Sequence, residues 1–229
     1  MKIENLRVYD LEESIIASGY PMRTKVKMTD DEVEGIKHAY NAWDCLEVSE
    51  EVASLGEKDI RRCLNLTKAS NGNGAHGQWM TGVRVAFDLT CTNKMWVEAE
   101  RYRFLEFVSS QSTMHRIAKF KLSEQCNKYV DHDIIDIVQR KIDAYNHLLE
   151  DFPDSMNDMK KEKYLEILYN VPSGFEITAR VTTNYRCLLN IYIQRKDHRL
   201  PEWREFCEYM YNNLPLFKDL VDAYESKEK

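Results

Sequence analysis

The chain has 229 residues, 43% of them hydrophobic and 31% charged, with a formal net charge of -6. That is enough apolar material for a buried core, so a single α+β domain over residues 1–229 is the expected organisation. The acidic balance argues against a dedicated nucleic-acid binder, and no apolar run approaches the roughly 20 residues of a membrane-spanning helix.

Taken in order, Lys2 to Tyr9 carries Ile3, Leu6 and Val8 among charges and predicts an opening strand. Ser14 to Arg23 closes in a Gly-Tyr-Pro turn. Thr29 to Cys45 predicts a helix. Thr29 or Asp30 can cap it, acidic residues fill its first turn, and Val33, Ile36, Ala39, Tyr40 and Trp43 follow helical spacing. A second helix is expected from Glu57 to Ala69, with Ile60, Cys63 and Leu64 inward. Asn71-Gly72-Asn73-Gly74 then breaks the chain. It reads either as a surface turn or as backbone that lets a flat ligand approach closely, and it lacks the context of a dinucleotide fingerprint. His76 follows it, and a lone histidine is by default structural.

Val83, Val85 and Phe87 alternate with Arg84, Ala86 and Asp88, the period-2 signature of a strand. The period then changes. On a helical wheel at about 100° per residue, Trp96, Val97, Phe104, Leu105, Phe107 and Val108 share one arc, predicting an amphipathic helix that faces the core. Arg101 falls inside the arc and Arg103 at its edge. A guanidinium keeps its proton at ordinary pH, so a half-buried one must meet an anion, either an internal carboxylate such as Glu98 or a phosphate. Directly after this helix, Ser109, Ser110, Gln111, Ser112, Thr113, His115 and Arg116 form a non-periodic segment able to wrap an anion with hydroxyls, backbone N–H groups and one fork-shaped cation.

Ser123 to Phe152 reads as one long helical tract ended by Pro153. Its inward residues are Tyr129, Ile134, Ile137, Val138, Ile142, Tyr145, Leu148 and Leu149, packed over a sheet or in a subunit contact. Lys160 to Tyr169 is a shorter helix stopped by Pro172 and Gly174. The late helix from Asn184 to Arg195 is apolar over most of its surface, so it is expected to be buried. Arg186 and Asn190 form one polar stripe on it, Asn184 and Arg195 another. Such stripes suit a cofactor, a subunit contact or an internal polar network. Pro201 opens a helix with Trp203, Phe206, Tyr209 and Met210, and Leu214 to Tyr224 closes the chain. Cys45, Cys63, Cys91, Cys126, Cys187 and Cys207 show no paired spacing and the N-terminus shows no signal-peptide pattern, so reduced thiols in a cytoplasmic protein are expected.

Two of these stretches together resemble the flavin-dependent thymidylate synthases. That family carries Arg-His-Arg, two residues, Ser, one, Asn, two, Ser, one, Arg-Tyr, after a strand and a helix that begin near a histidine. Here Arg101-Tyr102-Arg103 resembles the first triplet, Ser109 and Gln111 the Ser and Asn, and Arg116 the closing arginine. The family's late helix carries Asn, one, Arg, three, Asn, four, Arg, matched at that spacing by Asn184, Arg186, Asn190 and Arg195. The chain departs from the pattern at Tyr102 for His, Met114 for the second Ser and Ile117 for Tyr, and the gap from Arg103 to Arg116 is longer by almost one helical turn. Glu98 replaces the usual Gln. Leu168-Tyr169-Asn170 stands where the family supplies a phosphate-holding arginine before a proline, with Arg180 as a candidate substitute.

The resemblance covers about residues 70 to 205. It implies an α+β subunit, a mixed or antiparallel sheet with long packing helices, assembled as a homotetramer with flavin sites between subunits. It further implies FAD held by His76, Arg101, Arg103, Asn184, Arg186 and Asn190, and dUMP addressed by Glu98, Ser112, Arg116 and Arg195. Methylenetetrahydrofolate would give the one-carbon unit and NADPH the reducing equivalents, with dTMP as product. Neither a metal nor a catalytic nucleophile is expected, since Cys91 has no base in reach of its turn. Three alternatives stay open: a relative acting on another pyrimidine nucleotide, a non-catalytic homologue that keeps flavin as an interaction protein, and a plain α+β domain whose arginines are structural.

Overall fold

The computed structural model describes residues 1–40, 49–70 and 74–226. Strand β1 spans Lys2–Tyr9, as its apolar spacing predicts. Ile3 is buried and Leu6 and Val8 are half-buried, so the inward parity slips by one residue between positions 3 and 6. Asn5 absorbs the slip with a left-handed backbone, φ 51°, which asparagine tolerates better than most residues. Its amide donates to Asp88 at 2.5 Å, and Arg180 donates to the Asn5 carbonyl at 3.0 Å and to Asp88 at 3.2 Å. The Asn5 amide, then Arg180, hold the Asp88 carboxyl below the usual carboxylate range, against the upward pull of burial. A group whose proton affinity is lowered by folding stabilises the folded state above its ordinary pKa and loses that contribution as pH falls through the lowered one. Asp88→Asn is therefore expected to shrink the loss of stability on acidification below about pH 4, measured as the difference between denaturation midpoints at neutral and acid pH.

Helix α1 (Leu11–Ala17) buries Leu11, Ser14, Ile15 and Ile16, and a 3-10 turn follows at Tyr20–Met22. Helix α2 (Asp30–Tyr40) opens with a capping box: the Thr29 hydroxyl accepts from the Glu32 N–H and the Glu32 carboxylate accepts from the Thr29 N–H. Trp43 and Cys45, expected in the same helix, and Asn71, Gly72 and Asn73 lie outside the described residues. Helix α3 (Glu50–Ala69) starts seven positions before the expected Glu57, because Ser49 accepts from the Val52 N–H and supplies the cap. Where α2 meets α3 the backbones touch at two glycines: a Cβ on Gly56 would stand 1.9 Å from the Gly35 carbonyl oxygen. Since backbone cannot move aside as a side chain can, Gly56→Ala is expected to cost about 1–3 kcal/mol, checked by urea denaturation.

A 3-10 helix (Ala75–Thr81) leads into β2 (Arg84–Thr92), and Thr92 caps α4 (Asn93–Ala99) through the Met95 N–H at 3.2 Å. The helix expected through Val108 stops at Ala99. Tyr102 and Leu105 close turns onto the carbonyls of Ala99 and Tyr102, and the chain continues as β3 (Glu106–Ser110). The apolar arc is a coincidence of spacing. Trp96 and Leu105 are buried, but Val97, Phe104, Phe107 and Val108 are exposed, and Trp96 meets Phe107 ring edge to face at 4.8 Å across the turn. Aromatic and β-branched residues at 107 and 108 suit an edge strand, and sheet pairing satisfies backbone groups that a turn leaves open.

Short helices α5 (Thr113–Arg116) and α6 (Leu122–Gln125) follow, with a 3-10 turn at Ile117–Lys119 between them. The tract expected from Ser123 to Phe152 is interrupted. Cys126 bridges to Phe175, and α7 (His132–Asp151) begins afresh where Asp131 accepts from the Asp133 N–H. Ile135, Val138 and Ile142 form its buried face, whereas Ile134, Ile137, Leu149 and the loop residue Tyr129 are exposed, against expectation. Only one stripe of a helix can meet the core, and the isoleucines at 134 and 137 lie on its flank. The remaining elements are α8 (Asn157–Leu168), β4 (Glu176–Asn184), α9 (Tyr185–Arg195), α10 (Pro201–Asn213) and α11 (Phe217–Glu225).

The four strands form an antiparallel sheet in the order β1-β2-β4-β3, within a largely helical α+β fold. The chain divides into two compact units, Met1–Asn5 with Phe87–Val181, and Leu6–Ala86 with Thr182–Lys229. In the first, Ile117, Leu122, Val138, Ile142, Ile167 and Phe175 form the core beneath α7 and α8. In the second, Ile15, Ile36, Met80, Tyr185, Trp203, Phe206 and Phe217 are fully buried. Among the described residues no helix is long and apolar enough to cross a membrane.

Candidate functional site

The ten candidate residues divide evenly between the two units: Glu98, Arg101, Arg103, Ser112 and Arg116 in the first, and His76, Asn184, Arg186, Asn190 and Arg195 in the second. In the first unit the turn between α4 and β3 carries Arg101 and Arg103, both exposed. This corrects the expectation of a half-buried Arg101. Its internal counter-ion is absent too: Glu98 pairs instead with Lys94 at 3.1 Å, and among the described residues neither guanidinium forms an ion pair. Arg103 lies 5.4 Å from the centroid of the exposed Phe104 ring. Two unspent cations beside an exposed aromatic are a donor set suited to a phosphate-bearing group with a flat ring.

The polar segment beyond follows an edge strand, not a helix. The Gln111 backbone N–H donates to the Thr178 carbonyl at 2.9 Å and its side-chain oxygen accepts from the Thr178 N–H at 2.9 Å, so this residue extends the sheet. Ser112 is half-buried at the start of α5, where its carbonyl accepts from the Arg116 N–H at 3.0 Å, and the Arg116 side chain is exposed. Arg180, the candidate substitute for the missing arginine, is committed to Asp88 and Asn5.

In the second unit, His76 is exposed on the 3-10 helix, beside a cavity of about 440 Å³ whose wall includes Ser14, Ser18, Leu66, Gln78 and Trp79. Arg186 reaches this segment. Its guanidinium donates to the Gln78 side-chain oxygen at 2.5 Å and the Gly74 carbonyl at 3.3 Å, which ties the start of α9 to the chain around His76. The structure thus brings His76 and Arg186 to one neighbourhood. Gln78 was not a sequence candidate, and no local signal marks it, because its partner is 108 positions away. Asn184 caps α9, accepting from the Cys187 N–H at 3.0 Å. Asn190 is half-buried. Arg195 lies 2.7 Å from the His198 ring and 5.1 Å from the centroid of Trp203, so its charge is held inside the unit.

The five described cysteines are free. Burial pushes the thiols of Cys63 and Cys126 up to about 11 and that of Cys207 up to about 12, so none of these three is a thiolate at neutral pH. The polar chemistry on offer is binding through arginines, amides and hydroxyls.

By sequence, the chain matches no family model and no curated protein. Among solved structures it is similar to thymidylate synthase X of Helicobacter pylori with FAD and dUMP, at a TM-score of 0.61 and 16% identity, over 98% of this chain and 100% of that one. A second structure of the flavin-dependent thymidylate synthase from Helicobacter pylori, complexed with FAD and dUMP, gives a TM-score of 0.59 and 15% identity over 99% of each chain. The chain therefore has the fold of flavin-dependent thymidylate synthases from end to end.

Proposed function

We propose that the chain is a divergent FAD-dependent thymidylate synthase that converts dUMP to dTMP with methylenetetrahydrofolate and NADPH, acting as a homotetramer in the cytoplasm. The observation that carries the reading is the coincidence of an end-to-end fold likeness with two arginines, at the matched motif positions, that are exposed and form no ion pair among the described residues. Arg101 and Arg103 suit the FAD pyrophosphate as paired cations, with Phe104 as a surface for a flat ring. Arg186 orients the segment that presents His76. Ser112, just before α5, and Arg116, its last residue, address the nucleotide phosphate. Bound FAD would supply hydride transfer, leaving the protein to bind, orient and exclude water.

A second reading has its own support. Arg180 is committed to the sheet, Arg186 to Gln78 and Gly74, Arg195 to His198 and Trp203, and Asn184 to its cap, so four of the groups available for ligands have internal tasks. That favours a homologue that keeps flavin without turnover, or one that acts on another pyrimidine nucleotide. The deciding experiment is the visible spectrum of the purified protein with FAD, then dUMP, followed by NADPH reduction and reoxidation in the presence of folate and nucleotide. Nucleotide-dependent reoxidation with dTMP formation supports the synthase. A perturbed flavin band without reoxidation supports the binding protein, and no flavin binding removes both.

A further inference from the structure

We infer that Trp79 and Ser14 are specificity-determining residues for the flat ring of the bound flavin, donating hydrogen bonds to its carbonyl acceptors in the cavity beside His76. The inference rests on the flavin reading above and adds to it two residues that no motif singles out. The cavity of about 440 Å³ lies wholly within the second unit, and that volume is in the range of small-ligand sites.

Its polar side chains divide into groups already engaged inside the protein and groups that are not. The Ser18 hydroxyl donates to the Ile15 carbonyl at 2.7 Å and accepts from Arg62 Nε at 3.0 Å. The Gln78 side-chain oxygen accepts from Arg186, and the Thr81 hydroxyl donates to the Gln78 carbonyl at 2.7 Å. Two groups remain. The Trp79 indole N–H is buried and has no acceptor among the described residues. Ser14 is 6% exposed, and its hydroxyl forms no hydrogen bond among the described residues. A Cβ on Gly82 would stand 2.3 Å from that hydroxyl oxygen, so the bare glycine leaves the hydroxyl its place in the wall.

A buried donor without an acceptor has lost its water and gained no replacement, and an acceptor on a ligand removes that cost. The rest of the wall decides what carries the acceptor. Ala17, Pro21, Leu66 and Ala75 are apolar, and among the described residues no lysine, arginine, aspartate or glutamate lines the cavity. A phosphate finds no fixed cation there. A flat, uncharged ring with carbonyl oxygens on its edge suits both parts of the wall: its faces meet apolar side chains and its edge meets two donors.

The test titrates the full chain with FAD and reads three quantities: the affinity, the position of the visible band of the bound flavin, and the urea midpoint of the ligand-free chain. Ser14→Ala removes only the hydroxyl, and Trp79→Phe removes the N–H while keeping an aromatic ring. Each is expected to weaken FAD binding about 3-fold to 10-fold, the range of a single hydrogen bond, and to displace the flavin band from its position in the parent. The ligand-free midpoint of Ser14→Ala is expected to equal or exceed that of the parent, because a buried hydroxyl without a partner is replaced by a better helix former. A residue that merely supports the fold would give the opposite pattern. Lost affinity with an unmoved band and a lowered midpoint therefore overturns the inference. FAD bound by both variants with unchanged affinity and band overturns it too and leaves the flavin reading standing, whereas a parent that binds no FAD overturns both.

Discussion

Trp203→Ala is expected to lower stability by about 3–5 kcal/mol, the usual cost of removing a large aromatic ring from a packed core. Trp203 is fully buried and is the largest such side chain among the described residues. Its ring packs edge to face against Phe206 at 5.8 Å and carries the Arg195 guanidinium at 5.1 Å. Truncation therefore opens a cavity and also removes the surface on which a half-buried cation rests. Urea denaturation of the variant against the parent measures the loss, and Trp203→Phe should fall between them. A loss below about 1 kcal/mol would mean that the core of this unit relaxes around the missing ring, contrary to close packing.

The second large effect is functional. Arg101→Ala combined with Arg103→Ala is expected to weaken FAD binding by about 100-fold or more while leaving the thermal midpoint unchanged. The magnitude follows from two charge-assisted hydrogen bonds at about 1.5–3 kcal/mol each, with about 1.4 kcal/mol for every tenfold in affinity. The unchanged midpoint follows from the exposure of both side chains and from their forming no ion pair among the described residues. Flavin titration of the double variant and its two single parents separates the contributions. Full retention of affinity would move the flavin phosphates away from the turn between α4 and β3.

Those two residues also show how far a sequence reading carries. Their candidacy came from spacing in the chain, and the structure leaves them available. Their setting was misread, because six apolar residues between 96 and 108 satisfy a helical arc while belonging to a short helix, a turn and an edge strand. Periodicity registers spacing but not the break at Ala99, which depends on an adjoining strand distant in sequence, with Gln111 meeting Thr178, 67 positions further on. In the same way Ile134 and Ile137 fit a helical pattern, yet the core beneath α7 accepts only Ile135, Val138 and Ile142.

What the sequence determined by itself was local. Thr29 and Glu32 capped α2, apolar spacing placed β1 and α10, and the near-continuous apolar surface of α9 buried it. Each of these depends on neighbours within a turn or two, so short-range chemistry suffices. The tertiary structure alone decided which polar groups remain available. Arg180 was taken up by Asp88 and Asn5, Arg186 by Gln78 and Gly74, and Lys160 was buried with no carboxylate partner among the described residues. For the two arginines the partners lie about a hundred positions away or more, and for the lysine the decisive fact is what fails to approach it in space. Charge compensation is a property of three-dimensional neighbourhoods, and no spacing along the chain encodes it.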